Sequence, residues 1–190
     1  TFYRTAYFLP VVSSTVAVAL VWSWIYSKDF GLLNFVLRSA GLAPVAWLNS
    51  TRYAMLSLII MGIWGLLGQG MVIFLAGLQA IPDELYEAAT IDGAGGAAVF
   101  FRVTLPVISW PIMVTLILRT VEAIRVFDII YVMTRGGPAN ATKLTTFYVW
   151  EIAFKHHMMG KGAALAYLIT ALIVILAVFY YRLLNRRVEL

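Results

Sequence analysis

Residues 53–78 read YAMLSLIIMGIWGLLGQGMVIFLAGL, a run with no charged side chain and a single amide, Gln69. About 20 consecutive apolar residues suffice for a helix to cross the hydrocarbon of a bilayer. In that solvent a backbone must satisfy its own hydrogen bonds, which selects the helix over the open strand. The stretch therefore reads as a membrane-spanning helix. Three more runs qualify on the same ground, at about 6–26, 107–127 and 162–181. Val16, Val18 and Val21 are β-branched, but in lipid they do not argue for strand.

The composition agrees. Of 190 residues, 62% are apolar and 12% are charged, against about 45–50% and about 25% in soluble domains. Such a chain cannot cover a soluble surface, so the expected fold is all-α: one polytopic transmembrane helix bundle over 1–190. No internal repeat or heptad seam is present. The chain starts at Thr1 without Met and without a signal-peptide pattern. That start is expected to be the edge of a longer chain. Cys is absent, so a disulfide framework or thiolate metal site is excluded. The net charge of +5 does not imply nucleic acid, because the basic residues flank apolar runs, where lipid headgroups would meet them. Trp22, Trp24 and Tyr26 close the first run. Tyr180 and Tyr181 close the fourth, followed by Arg182, Arg186 and Arg187.

Four spans put both chain ends on one side, with Arg4, Arg102, Arg182, Arg186 and Arg187. The other side carries Lys28, Arg38, Arg52, Arg135, Lys143, Lys155 and Lys161. Positive charge alone leaves the orientation open. Between the runs, 28–52 is a mixed loop with a short helix expected at Leu32–Ser39. Segment 128–161 opens with the turn signal Arg135-Gly136-Gly137-Pro138 and continues into an expected amphipathic helix over Thr145–Met159. Pro10 is expected to kink or end a turn of the first span, with Ser13, Ser14 and Thr15 bonded back to the helix.

Segment 80–106 is the most ordered of the connections. Ile81-Pro82-Asp83-Glu84 is a helix start, with proline early and acids in the first turn. Glu84, Glu87, Ala88 and Ile91 recur at helical spacing. Asp92-Gly93-Ala94-Gly95-Gly96 then ends that helix. A second helix is expected from Ala97 to Val103, and Leu105-Pro106 opens the next span. The small residues Ala88, Ala89, Gly93 and Ala94 offer another protein a close approach.

Glu87-Ala88-Ala89-Thr90-Ile91-Asp92-Gly93, nine further residues and Val103-Thr104-Leu105-Pro106 together resemble the EAA loop of permease subunits in binding-protein-dependent ABC importers. Every spacing of that motif is matched, with Val103 where the family usually has Ile. Leu75 to Pro82, Phe127-Asp128, Tyr131 and Thr134 through Pro138 resemble the sugar-importing branch, the maltose, trehalose and glycerol-3-phosphate permeases. The resemblance implies an importer permease core of about six spans, of which this chain would hold the last four. It implies that Glu87, Ala88, Ala89, Asp92, Gly93, Leu105 and Pro106 dock onto an ATPase, which puts the loop and the C-terminus in the cytoplasm. Further implications are a bacterial or archaeal inner membrane, a second permease subunit, two ATPase subunits holding ATP and Mg, and an extracytoplasmic substrate-binding protein. This chain would bind no cofactor and catalyse nothing itself; its Gly93-Ala94-Gly95-Gly96 lacks the Gly-Lys-Ser/Thr of a phosphate loop.

Arg119 and Glu122 sit three residues apart in the third run. Charges at membrane depth usually face the protein interior or a water-filled cavity. Two readings stay open: a pair that only holds the bundle together, or a pair lining the pathway for a polar solute. In similar sugar permeases this stretch contributes to the substrate pocket, which implies pathway roles for Gln69, Arg119, Glu122, Ala123 and Val126. Gly62, Gly65, Gly68 and Gly70 around Gln69 equally suit close helix packing. His156-His157 is read as interfacial rather than metal-binding, because adjacent helical residues diverge. A mono- or oligosaccharide is the expected cargo. Glycerol-3-phosphate or a glycerophosphodiester is the alternative, since Arg119 and Arg125 would suit phosphate. An ion-driven secondary transporter and a membrane scaffold without a cavity are readings from other classes.

Overall fold

The computed structural model describes residues 2–185, with side chains over 7–182, so Arg186 and Arg187 lie outside the described residues. Every regular element among them is helical: α1 (Phe2–Val12), α2 (Thr15–Ile25), α3 (Leu32–Ser39), α4 (Ala54–Gln79), α5 (Asp83–Ile91), α6 (Gly96–Val99), a π-helical turn (Phe100–Thr104), α7 (Leu105–Val107), α8 (Ser109–Arg125), α9 (Asp128–Met133), α10 (Thr145–Trp150), a second π-helical turn (Glu151–Lys155) and α11 (Met159–Asn185). The fold is the all-α one expected. Only α4 and α11 are single helices long and apolar enough to cross a membrane. The other two expected spans are interrupted, and prolines lie at both interruptions.

In the first, Pro10 has no N–H for the helical ladder. The helix ends two residues later, Ser13 N–H closing a turn onto the Pro10 carbonyl (3.3 Å). Ser13 Oγ bonds back to the Leu9 carbonyl (2.9 Å), as expected. Ser14 instead turns extended at the start of α2. In the third run, the segments Gly96–Val107 and Ser109–Met133 meet at 66°. Pro106 and Pro111 each delete a donor and crowd the carbonyl four residues back. Sharp bends normally have such a cause.

The chain divides into two compact units. One holds the chain up to Gly68 with Ile124–Ile169, the other Gln69–Ala123 with the chain from Thr170 onward. Within the first, α9 packs on α2. Leu58, Ile130 and Phe147 form a buried core, surrounded by Val126, Phe127, Ile129, Met133, Leu144 and Trp150. A Cβ on Gly68 would lie 2.1 Å from the Tyr7 carbonyl oxygen, so glycine lets α1 cross α4. Gly70 has a neighbour too, described below, whereas Gly62 and Gly65 have none within 4 Å. The close-packing expectation thus holds for one of the four glycines, Gly68.

The connection after α2 is organised by Asn34, which is fully buried. Its amide nitrogen donates to the carbonyls of Ser27, Lys28 and Val45, and its oxygen accepts from Val45 N–H and the Trp47 indole. One side chain therefore ties α3, the preceding turn and the following extended stretch together. In the turn before α10, Gly136 has φ +80 and its Cβ would sit 2.9 Å from the Phe147 ring. Both facts demand glycine.

The amphipathic helix expected over Thr145–Met159 is shorter. It widens into the π turn after Trp150 and stops at His156–His157, where His157 has φ +55. Glu151 accepts from Lys143 (2.6 Å) and, one turn on, from Lys155 (2.9 Å). Hydrogen bonds from these two lysines hold its carboxyl down to about 2. Both histidines are exposed.

Asn34→Leu is expected to strand Val45 N–H, the Trp47 indole and the facing carbonyls. At about 1–3 kcal/mol per buried unpaired group, the detergent-solubilised protein should melt markedly lower in a thermal unfolding scan. The Glu151 carboxyl is lowered from 4.5 to about 2, so its contribution is complete above pH 4.5 and fades as pH falls towards 2. Thermal midpoints followed through that window should drop more steeply in wild type than in Glu151→Gln.

Candidate functional site

The loop from 80 to 106 begins where α4 runs out. Pro82 takes φ −62, ψ 135 as the first cap of α5, a place where its missing N–H costs nothing. Asp83 and Glu84 occupy the first turn, complementing the positive helix end. The far end closes by a Schellman motif: Gly93 N–H bonds the Thr90 carbonyl (3.0 Å) and Ala94 N–H the Ala89 carbonyl (2.9 Å). Gly93 has φ +70, while a Cβ there would meet nothing within 4 Å. The position thus requires a left-handed backbone, not space.

The faces of α5 differ. Tyr86 and Ala89, three residues apart, face inward. Ala89 is buried, and Tyr86 Oη meets the Thr104 hydroxyl of the first π turn at 3.3 Å. Glu84, Glu87, Ala88, Ile91 and Asp92 are exposed, Ile91 at 85%. This corrects the expectation for Ala89, whose small side chain serves packing within the chain. Tyr86 escaped notice in the sequence, although its spacing from Ala89, off the Glu84–Glu87 stripe, marks the inward face.

The second helix of the loop departs from the expected Ala97–Val103. It is α-helical only over α6 and then widens, Leu105 N–H reaching back five residues to Phe100. The π turn puts an extra residue just ahead of Pro106. Leu105 is half-buried and Pro106 exposed. The two ends of the loop meet: a Cβ on Gly77, near the end of α4, would lie 2.5 Å from Pro111 Cγ at the start of α8.

Further along α8, Arg119 Nη1 and Glu122 Oε2 form an ion pair of 2.6 Å, the two side chains 21% and 40% exposed. Arg119 Nη2 lies 3.9 Å from where a Gly70 Cβ would be, which sets the guanidinium against the residue following Gln69. Gln69 itself is half-buried. Thr120 bonds the Leu116 carbonyl (2.8 Å) and the Tyr180 hydroxyl (3.4 Å). Arg119, Glu122 and the Gln69–Gly70 stretch are thus neighbours in the second unit. Ala123 follows, exposed. Val126 lies past the end of α8 in the first unit, packed on the Leu58–Ile130–Phe147 core, its carbonyl taking the Thr146 hydroxyl.

A family profile described as binding-protein-dependent transport system inner membrane component matches residues 1–190. A probable ABC transporter permease protein of Bacillus subtilis, YurN, is 39% identical over 167 residues, covering 87% of this chain and 57% of the relative. The trehalose/maltose transport system permease protein MalF of Thermococcus litoralis is 37% identical over 182 residues, 94% of this chain and 60% of the relative. The chain thus spans about three fifths of the length of these relatives. Among solved structures, a bacterial alginate ABC transporter in complex with an alginate pentasaccharide-bound periplasmic protein superposes with a TM-score of 0.88 at 24% identity, over 98% of this chain and 65% of that one. That match shares the fold.

Since φ +70 costs an ordinary residue about 1–2 kcal/mol and Asn less, Gly93→Val should fray the C-terminal end of α5 and Gly93→Asn should nearly preserve it. Limited proteolysis at residues 90–96 is the readout; equal cleavage of both variants would show that the backbone conformation is not the constraint.

Proposed function

The chain belongs to the binding-protein-dependent transport system inner membrane component family, and from that premise we propose that it forms half of the translocation pathway of an ATP-driven sugar importer. A second permease subunit completes the pathway, two ATPase subunits bind ATP and Mg, and an extracytoplasmic binding protein delivers the solute. The observation that carries the reading is α5: a short helix capped at both ends, packed by Tyr86 and Ala89 on one face, with Glu87, Ala88 and Asp92 exposed on the other. Glu87 offers a carboxylate to a basic groove on the ATPase. The loop and the C-terminus accordingly face the cytoplasm. The match to a family of binding-protein-dependent transport components, with relatives named as ABC transporter permeases, favours ATP over the ion-driven alternative.

For the cargo, the charge balance of Arg119 and Glu122 favours a neutral polyol. The paired side chains sum to zero and remain partly exposed. Together they present a donor fork and a carboxylate acceptor, the combination that charge-assisted bonds to sugar hydroxyls need. A phosphate would have to compete with Glu122 for the guanidinium, which weighs against glycerol-3-phosphate or a glycerophosphodiester.

In proteoliposomes containing the assembled transporter and its binding protein, uptake of a neutral sugar should require ATP hydrolysis. Glu87→Ala should lower sugar-stimulated ATPase activity at least about tenfold, the loss of a charge-assisted contact. Arg119→Ala should abolish uptake while the subunits still co-purify. Full uptake by Arg119→Ala would remove the pathway assignment, and unaltered stimulation in Glu87→Ala would remove the docking assignment.

A further inference from the structure

α3 lies between two membrane-embedded helices, yet one whole face of it is apolar and uncovered among the described residues. Positions 32, 35, 36 and 39 share that face by helical geometry. Leu32, Phe35 and Val36 are exposed, Phe35 at 66%, and Phe30 before the helix at 82%. The only hydroxyl there, Ser39 Oγ, bonds back to the Phe35 carbonyl (2.9 Å) and so presents no unmet hydrogen-bonding group.

The opposite face fixes the helix against rotation. Asn34 makes the bonds described above, and Arg38 donates to the carbonyls of Asp29 (2.9 Å) and Lys28 (2.6 Å). The apolar face therefore points outward by construction.

Its depth is fixed as well. Trp22, Tyr26, Trp47 and Tyr53, where α2 ends and α4 begins, form a cluster of rings with centroids 5.3, 6.0 and 6.0 Å apart, Tyr26 buried within it and bonded to the Ser57 carbonyl. On the last turn of α2, Trp24 is 56% exposed, and exposed amphipathic rings collect at the headgroup level. Trp47 donates its indole N–H to Asn34 (3.2 Å), so α3 is tied directly to that cluster. Exposed Lys28 and Asp29 immediately precede Phe30, and Arg38, held at the polar turn by the Lys28 and Asp29 carbonyls, adds a second cation there. Apolar centre and basic margin are what an interfacial helix needs on an anionic membrane.

We infer that α3 lies in the membrane interface, with Phe30, Leu32, Phe35 and Val36 seated at the boundary between headgroups and acyl chains. Lipid, not another protein, covers this face. The arrangement anchors the α2–α4 connection at a set depth, independent of what the transporter carries.

Residues 1–190 contain no cysteine, so once any cysteines elsewhere in the transporter are replaced, a single introduced one reports alone. Phe35→Cys, and Leu32→Cys as a second position, would be spin-labelled in the assembled transporter, in nanodiscs of phosphatidylethanolamine and phosphatidylglycerol. Collisions with oxygen should exceed those with a water-soluble nickel chelate severalfold, with or without the binding protein. Dominant nickel collisions would overturn the inference, because the face would then be in water. Suppression of both in the assembled complex, or on adding the binding protein, would overturn it in favour of a protein partner. Uptake measured in the same preparations separates this outcome from failure of the transport reading.

Discussion

The backbone's demand for hydrogen bonds in a solvent that offers none governs this molecule. Where the ladder runs unbroken, in α4 and α11, the chain simply crosses apolar space. Its distinctive features lie where the ladder is broken and locally repaired. Pro10 is followed by a turn and a serine back-bond. Gly93 turns the chain so that its own N–H and that of Ala94 close α5 onto carbonyls that would otherwise be orphaned. Pro106 is preceded by a widened turn, and Pro111 by a 66° bend. Each break redirects the chain without leaving polar atoms stranded, and no buried side-chain nitrogen or oxygen among the described residues lacks a partner.

Helices in this setting gain little from burying apolar surface, because lipid is equally apolar, so they must gain by close contact. The glycines mark where they do. Gly68 admits Tyr7, Gly77 admits Pro111, and Gly162 sits against Ala153, with a built Cβ only 2.6 Å from the alanine Cβ. A side chain at any of these would push two backbones apart. Gly62 and Gly65, in the same helix at the same kind of spacing, meet nothing within 4 Å. Spacing alone therefore does not separate contact glycines from open ones; that depends on where the partner helix crosses.

Much of the fold was legible because it follows from local rules. The bounds of α3 are those expected, and α5 starts and stops on its proline, acids and glycine. The parts that were not legible depend on residues distant in sequence. Asn34 looks like an ordinary polar residue in a mixed loop until Val45 and Trp47 fold back onto it. Glu151 reads as one charge on an amphipathic helix until Lys143, from the turn before α10, folds onto it beside Lys155. Val126 reads as one more helical position after Glu122 until α8 ends at Arg125. In the loop, motif spacing selected Glu87 and Gly93, but only the packing against Thr104 distinguishes the inward Ala89 from the outward Ala88.

The same packing bears on how the proposed docking loop would act. A force applied to the exposed face of α5 would be dissipated if the loop were a tether. Here α5 is closed by its own caps, braced on the π turn through Tyr86 and Thr104, and its two flanking helices touch at Gly77 and Pro111. Those contacts leave the loop few internal degrees of freedom, so displacement of α5 must carry the adjoining ends of α4 and α8 with it. Arg119 lies further along α8, beside Gly70 of α4. The two helices that would feel the ATPase are thus the two that meet where Arg119 lies against Gly70. On this reading, coupling needs no separate relay: the docking loop and the ion pair proposed to face the solute lie along the same pair of helices.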